Sequence, residues 1–584
     1  MRFAAGERFN PRCGDCLPAS KEGAVPAVVC KLATERSLPN ASARFSRSSF
    51  FASACEATTL PATLALLVTS LAHITDLWPL VEARAAATPN ALFALDERGR
   101  TLSFAQYRDA ALRCAAGLAA LGVARDVPVS WQLPTRIDAL VLAAALARLG
   151  AVQNPVLPIL REREVGFITQ QIGARHLLVP RVFRGFDYEA MARALASAQP
   201  GLAVHCVEDG LPDGDPAALA PAPVVTDPAS APVRWILYSS GTTADPKGAR
   251  HMDYSVAYPG RAMCEMQAIG ANDRVAIVFP VTHVGGINWL FGSLIFGFAQ
   301  LLVEIFDAKR TPLWLAAQGA TQLGAGTVFH QAYLAAQREH GSAKLFPHVR
   351  GFPGGGAPKP PQLFWDLLRE TGAPIRSGYG LTEHPIAVMG AVDDPNEKLA
   401  ATEGRATRGT EIRIVKLDGA PAAPGEEGEV RLRGPHLFRG YVDARLDAEA
   451  LDELGYLRTG DLGALDADGY LSITGRLKDI IIRKGENISA REIEDHLHAH
   501  ASVKEAAVVG LADAERGERV CAVLALREGA APLALADVAT FLSARGLATY
   551  KLPEQVEHVS ELPRNPSGKV LKRELEAKYT AASR

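Results

Sequence analysis

Short apolar runs alternate with amphipathic stretches along most of the chain. That rhythm predicts an α/β fold of mostly parallel sheets covered by helices. Residues 91–95 and 100–102 read as a hairpin about Asp96, Glu97, Arg98 and Gly99. Ser103 then caps a helix running towards residue 121, where Gly122 stops it. Residues 127–133, 137–149 and 152–156 form a strand, a helix and a strand, followed by a helix at 164–172 and a strand at 176–179. A Pro-, Ala- and Asp-rich connection occupies 206–232. Beyond it the alternation resumes, with strands at 235–238, 275–279, 300–305, 326–329 and 375–379. Near Thr410 the pattern changes to short strands joined by turns (412–415, 428–433, 470–473), a small β-rich subdomain. Past Lys478 come a strand (480–482), a helix (490–499), two strands (506–510, 520–526) and a helix (535–545). These make an α+β unit of about a hundred residues. The expected organisation is an N-terminal extension (1–73), a large α/β domain (74–477) and a small C-terminal domain (478–584).

At 584 residues the chain exceeds one ordinary core, and 48% apolar residues suffice for a large interior. A net charge of −2 offers no broad field for nucleic acid or an anionic membrane. Eight cysteines are scattered, and only Cys13 and Cys16 are paired in spacing. Without a second pair they make no zinc site, so the cysteines read as reduced thiols of a cytoplasmic protein. The extension is rich in Ser, Ala, Arg and Pro. Its apolar run at 59–72 is short of the ~20 residues a membrane span needs, and it lies too far from the start for a secretory signal. Glu7, Asp15, Glu22 and Glu35 count against a transit peptide, leaving a disordered tail or a start assigned too far upstream.

The apolar run 235–238 is followed at once by Ser239, Ser240, Gly241, Thr242 and Thr243, then by Lys247 and Gly248. Glycine admits close backbone approach, hydroxyls and N–H groups donate, and lysine adds charge: together they form a phosphate cradle. Walker A spacing is absent, because Lys247 precedes its glycine. Alone, the stretch also fits a polar surface turn. Four further stretches follow in order: Gly378-Tyr-Gly-Leu-Thr-Glu383, Tyr456-Leu-Arg-Thr-Gly-Asp461, Gly475-Arg-Leu-Lys-Asp479 with Lys484-Gly-Glu-Asn-Ile488, and Pro563-Arg-Asn-Pro-Ser-Gly-Lys569.

Together the five motifs resemble the adenylate-forming superfamily of acyl-CoA synthetases, adenylation domains and luciferases, from about Ile74 to the C-terminus. Ala244 departs from the glycine usual at that point of the loop. The resemblance implies an ATP-dependent acid–thiol ligase: a carboxylate and ATP give acyl-AMP and pyrophosphate, and CoA then displaces AMP. Two anions must meet at the α-phosphorus, so positioning and charge neutralisation should carry the catalysis. Ser239 to Thr243 and Lys247 would hold the β- and γ-phosphates, Thr382 would touch the α-phosphate, and Glu383 would bind Mg²⁺. Tyr379 would stack on adenine opposite Gly355, Gly356 and Ala357, which also suit a plain turn after a strand. Asp461 would accept the ribose hydroxyls with Arg476 nearby, and the two also suit a structural ion pair.

Lys569 would reach the acyl and phosphate oxygens during adenylation. The C-terminal domain would then swing about Lys478, bringing Lys484, Gly485 and Glu486 to the thiol entry. His283, Val284 and Gly285, with Val328, Phe329 and Ile386, would line an apolar acyl pocket, joined by Ile287 and Trp289. Gln132-Leu-Pro134, Asn154-Pro155, residues 183–187 and Thr282 to Gly285 look most like the branch acting on cyclohexanecarboxylate, medium-chain and steroid-side-chain acids. Two other functions fit the same motifs, an enzyme loading a carrier protein and a non-catalytic nucleotide-binding protein.

Overall fold

The computed structural model describes residues 71, 73, 76–225, 231–239, 246–357, 359–484, 486–513, 515–564 and 570–581. The predicted extension, except Leu71 and His73, lies outside the described residues, as do Ser240, Gly241, Thr242, Thr243, Ala244, Gly485 and Lys569.

Two large sheets organise the N-terminal part. The first runs Lys247–His251, Trp235–Ser239, Val152–Pro155, Pro128–Trp131, His176–Val179, Ala203–Cys206; only its first pair is antiparallel. The second runs Thr101–Ser103, Leu92–Asp96, Ala299–Leu302, Arg274–Ile277, Gln322–Leu323. Parallel bridges from Gln322 to Gly351 and from Ala325 to Gly354 continue it into Phe352–Gly355, Ile375–Tyr379, Val388–Met389 and Arg405–Ala406. Strands such as His176–Val179 and Ala299–Leu302 are buried at every position, their polar His176 and Gln300 included, as in a sheet covered on both faces.

One core cluster joins helices Leu77–Ala87, Phe104–Ala120, Ile137–Leu149 and Val284–Phe296. Every residue of Val284–Phe296 except Gly285 is buried, the mark of a helix enclosed on all sides. The predicted Ser103 cap is present and forms a capping box with Gln106.

The β-rich region is an antiparallel meander of Glu411–Val415, Gly428–Arg433, Leu457–Leu465 and Leu471–Arg476. After the short turn Leu477–Asp479, the smaller C-terminal part builds a sheet from Ile480–Arg483, Glu486–Ser489, Val503–Asp513, Gly517–Leu526 and Gln555–Val559. Helices Ala490–His498, Leu535–Ala544 and Lys572–Ala581 accompany it. It encloses core clusters of its own, separate from those of the large part.

One expectation fails: residues 326–329 are not a strand. Gly326 is the N-cap of helix Thr327–His340, whose buried His330, Tyr333, Leu334 and Gln337 follow helical spacing. The β-branched start at Thr327 and Val328 gave a misleading short-strand signal. The strand at this point is the two-residue Gln322–Leu323.

Candidate active site

Strands Trp235–Ser239 and Lys247–His251, which flank the expected phosphate loop, pair antiparallel. Ser239 pairs with Lys247 and Trp235 with His251, which sets Ser239 and Lys247 side by side at the carboxyl end of a strand that adjoins the parallel sheet. Ligands of open α/β sheets bind at such ends. A third segment lies along the hairpin: Arg439 N–H donates to the Arg250 carbonyl (2.7 Å), Arg250 N–H to the Gly440 carbonyl (3.0 Å), and Val442 N–H to the Gly248 carbonyl (2.8 Å). This brings Tyr441 beside Lys247, whose Nζ lies 5.5 Å from the ring centroid. The Tyr441 hydroxyl donates to Glu383 Oε1 at 2.7 Å. Glu383 is only 7% exposed, so this carboxylate sits in a built pocket, where a solvated loop residue would be open to water. Its neighbour is held equally firmly: His251 Nε2 lies 2.8 Å from the Thr382 carbonyl oxygen. The Phe438 N–H donates to the Glu383 carbonyl at 2.9 Å.

The glycine wall and Tyr379 stand on neighbouring strands. Gly355 pairs in parallel with Gly378, and a Cβ at Gly355 would collide with the Gly378 carbonyl. Gly356 follows with φ +78°, a conformation that favours glycine, and Ala357 comes next. Tyr379 donates its hydroxyl to Asp461 Oδ2 at 2.8 Å. Burial, with Asp461 adding to it, pushes that hydroxyl's pKa well above the usual tyrosine range. Asp461 and Arg476 face each other across two strands, and Arg476 Nε lies 2.7 Å from Asp461 Oδ1. The ion pair is therefore present, and each oxygen of the nearly enclosed Asp461 already receives one protein donor.

Where the acyl pocket is expected, His283 caps helix Val284–Phe296, its Nδ1 accepting the Gly285 N–H at 3.2 Å. The imidazole is exposed and Val284 is buried. Gly326, the cap of helix Thr327–His340, abuts the glycine wall, since a Cβ there would lie 3.1 Å from the Gly355 carbonyl oxygen. That places Val328 and Phe329 in the first turn beside the wall. Val328 is exposed, and Phe329 packs edge-on against Phe306 with centroids 4.9 Å apart. Ile386 is half-buried with φ +47°. Ile287 and Trp289 are buried in the main core.

In the C-terminal part, Lys478 is exposed in the Leu477–Asp479 turn. Lys484, with φ +52°, turns the hairpin between Arg483 and Glu486, and its Nζ lies 3.5 Å from Glu515. Arg564 and Val570, on either side of the Lys569 segment, bridge in antiparallel fashion.

The donor set suits a cation delivered with its nucleotide. Among the described residues no three His, Cys, Asp or Glu side chains cluster as a metal cage. Glu383 is a lone carboxylate, and Mg²⁺ is ordinarily held by one or two carboxylates, substrate phosphates and water.

Two residues of this constellation were not anticipated. His251 had a usable signal, for Lys247, Ala249 and His251 share one face of an alternating strand. Tyr441 had none: it joins the site through tertiary pairing of residues 439–442.

The sequence matches the AMP-binding enzyme family over residues 81–442 and the AMP-binding enzyme C-terminal domain over 492–569. It is 30% identical over 513 residues to the medium-chain fatty-acid–CoA ligase of Escherichia coli (strain K12), covering 86% of this chain and 89% of that protein. It is 32% identical over 491 residues to the salicyl-AMP ligase / salicyl-S-ArCP synthetase of Mycobacterium tuberculosis (strain ATCC 25618 / H37Rv), covering 81% and 84%. The fold superposes on ATP-bound MatB from Rhodopseudomonas palustris with a TM-score of 0.79 and 27% identity, covering 87% of this chain and all of that one. The family match spans most of the chain and ends at Val442, one residue beyond the tyrosine that joins the phosphate hairpin to Glu383: the chain belongs to the AMP-binding enzyme family.

Proposed function

We propose that the chain is an ATP-dependent acid–CoA ligase that converts a hydrophobic carboxylic acid to its acyl-adenylate, releasing pyrophosphate, and then to the CoA thioester. The observation that carries this reading is that Tyr441 joins Lys247, at the Ser239–Lys247 end of the hairpin, to Glu383. A cation and a carboxylate held at that point suit an incoming nucleotide polyphosphate with its metal. Mg²⁺ would supply charge neutralisation at the phosphates, with Glu383 as its protein ligand.

Ser239, Ser240, Gly241, Thr242, Thr243 and Lys247 hold the β- and γ-phosphates, and Thr382 orients the α-phosphate. Tyr379 and the Gly355 to Ala357 wall enclose adenine, and Asp461 keeps lone pairs for the ribose hydroxyls beside its pair with Arg476. The acid lies between His283, Val284 and Gly285 on one side and Val328, Phe329 and Ile386 on the other. Lys569 offsets charge in adenylation. Rotation at Lys478 of the domain spanning 478–584 then exchanges it for the loop of Lys484, Gly485 and Glu486. The favoured acids are alicyclic, medium-chain or steroid-side-chain acids, and the setting is the cytoplasm. Among the described residues no helix is long and apolar enough to cross a membrane, and the described cysteines Cys114, Cys206, Cys264 and Cys521 are free.

The test is a pyrophosphate-release screen over aliphatic, alicyclic, aromatic and steroid acids, with CoA, with an acyl-carrier protein and with neither. Acid-dependent release with CoA thioester as product is expected. Lys569→Ala should abolish release yet still convert supplied acyl-adenylate to thioester. Thioester only on the carrier protein would favour the loading enzyme, and no release with any acid would sink the ligase reading.

A further inference from the structure

Resting on the ligase reading, we propose that Tyr441 and His251 are positioning residues: they fix Glu383 and Thr382 against the phosphate hairpin, and so set the metal's and the α-phosphate's places relative to Lys247. Both reach the same loop from one three-segment ribbon. Tyr441 comes from the segment paired to strand Lys247–His251, and His251 ends that strand.

The directions of the two hydrogen bonds follow from chemistry. A carboxylate only accepts, so the Tyr441 hydroxyl must donate to Glu383 Oε1, leaving Oε2 for a cation. A carbonyl oxygen also only accepts, so His251 must carry its proton on Nε2 to bond Thr382. Its Nδ1, 2.9 Å from Ser255 Oγ, is then the acceptor of the serine hydroxyl, while that oxygen accepts the Met252 N–H at 3.2 Å. His251 is fully enclosed, and burial lowers its pKa to about 4, so the neutral ring persists. One tautomer is thereby selected, and with it the height of the Thr382–Glu383 loop above the hairpin.

Partners behind a metal-binding carboxylate commonly matter as much as the ligand. Tyr441→Phe is the cleanest probe, because the ring under Lys247 remains and only the donor is lost. Calorimetric titration of the full chain with ATP, in excess Mg²⁺ and in EDTA, gives the ratio of the two Kd values. In Tyr441→Phe that ratio should shrink towards the Glu383→Gln value by roughly 10-fold, with the Kd in EDTA unchanged. A ratio equal to wild type would overturn the proposal for Tyr441. His251→Gln retains an N–H donor and should keep kcat for acid-dependent pyrophosphate release, whereas His251→Leu should lose kcat at an unchanged KM for the acid. Equal kcat in both would overturn the role of His251. Should the leucine variant fail to fold, His251→Asn, with a donor too short to reach Thr382, replaces it. Wild-type protein showing Mg²⁺-dependent ATP binding but no acid-dependent pyrophosphate release would sink the ligase reading while the Kd comparison still decides the role of Tyr441.

Discussion

Asp461 holds two protein donors with one carboxylate, and the ribose hydroxyls are proposed as a further pair. Its oxygens receive Tyr379 and Arg476, and the residue is 2% exposed. Asp461→Asn keeps one acceptor oxygen but turns an N–H₂ towards one of those donors. Breaking a fully buried pair costs about 3–5 kcal/mol. Here Arg476 is about a third exposed and can turn to water, so a loss of about 1–2 kcal/mol is expected. The larger effect should fall on the nucleotide: AMP binding, followed by calorimetry, should weaken by at least the roughly tenfold that one lost charge-assisted bond implies. Wild-type affinity in the variant would remove Asp461 from the ribose site. At this scale the motif residues were legible because each carries chemistry that surface loops seldom combine. Tyr441 was not, because a tyrosine after a glycine looks the same wherever it points.

Among the elements, helix Val284–Phe296 shows what holds the proposed acyl side. Its N-terminus presents His283 and Gly285, and its far end is tied by a buried arginine from another helix. Arg84 Nε donates to the Leu294 carbonyl at 2.6 Å and Nη2 to the Ile295 carbonyl at 2.5 Å. A cation at a helix C-terminus is favourable, and the two carbonyls gain partners they would otherwise lack. Burial lowers the arginine's pKa only to about 10, so it stays charged near neutrality. Arg84→Ala should destabilise the fold by about 2–6 kcal/mol, the sum of two orphaned carbonyls. Thermal unfolding would read this as a clear drop in Tm, and an unchanged Tm would refute the staple. Helix 137–149 and strands 176–179 and 375–379 were read with their observed bounds, since period and flanking turns agreed there. Strand Leu457–Leu465 was missed because Gly460 and Gly463 interrupt its alternation, although it carries Asp461. Strand Gln555–Val559 and helix Lys572–Ala581 were missed as well: the strand joins its sheet only by pairing with the distant Gly517–Leu526.

The whole molecule buries several neutral histidines. Burial lowers the pKa values of His251, His330 and His436 to about 4 and that of His384 to about 3. In the unfolded chain each titrates near ~6.5. Unfolding therefore takes up protons between these limits: the stability they contribute is intact above about pH 6.5 and drains as the pH falls towards 4. Asp253 acts in the opposite sense. Its carboxyl, pushed up to about 6 chiefly by burial, loses stability as the pH rises from ~3.9 to about 6. Four histidines outweigh it, so Tm should begin to fall below pH 6.5 and fall faster towards pH 5. A Tm flat down to pH 5 would show that these imidazoles do not pay to be neutral.

By itself the sequence determined the α/β alternation, the β-rich region before Lys478, the separate C-terminal unit and the ordered motifs of an adenylate-forming enzyme. Such features are written in local periodicity and in residue types adjacent in the chain. Only the tertiary structure decided that residues 439–442 run beside the phosphate hairpin, that His251 reaches Thr382, and that a buried tyrosine holds Glu383. These contacts join residues 58 and 131 positions apart. Local pattern does not encode such meetings, because they depend on which strand edges are free to pair once the core has closed.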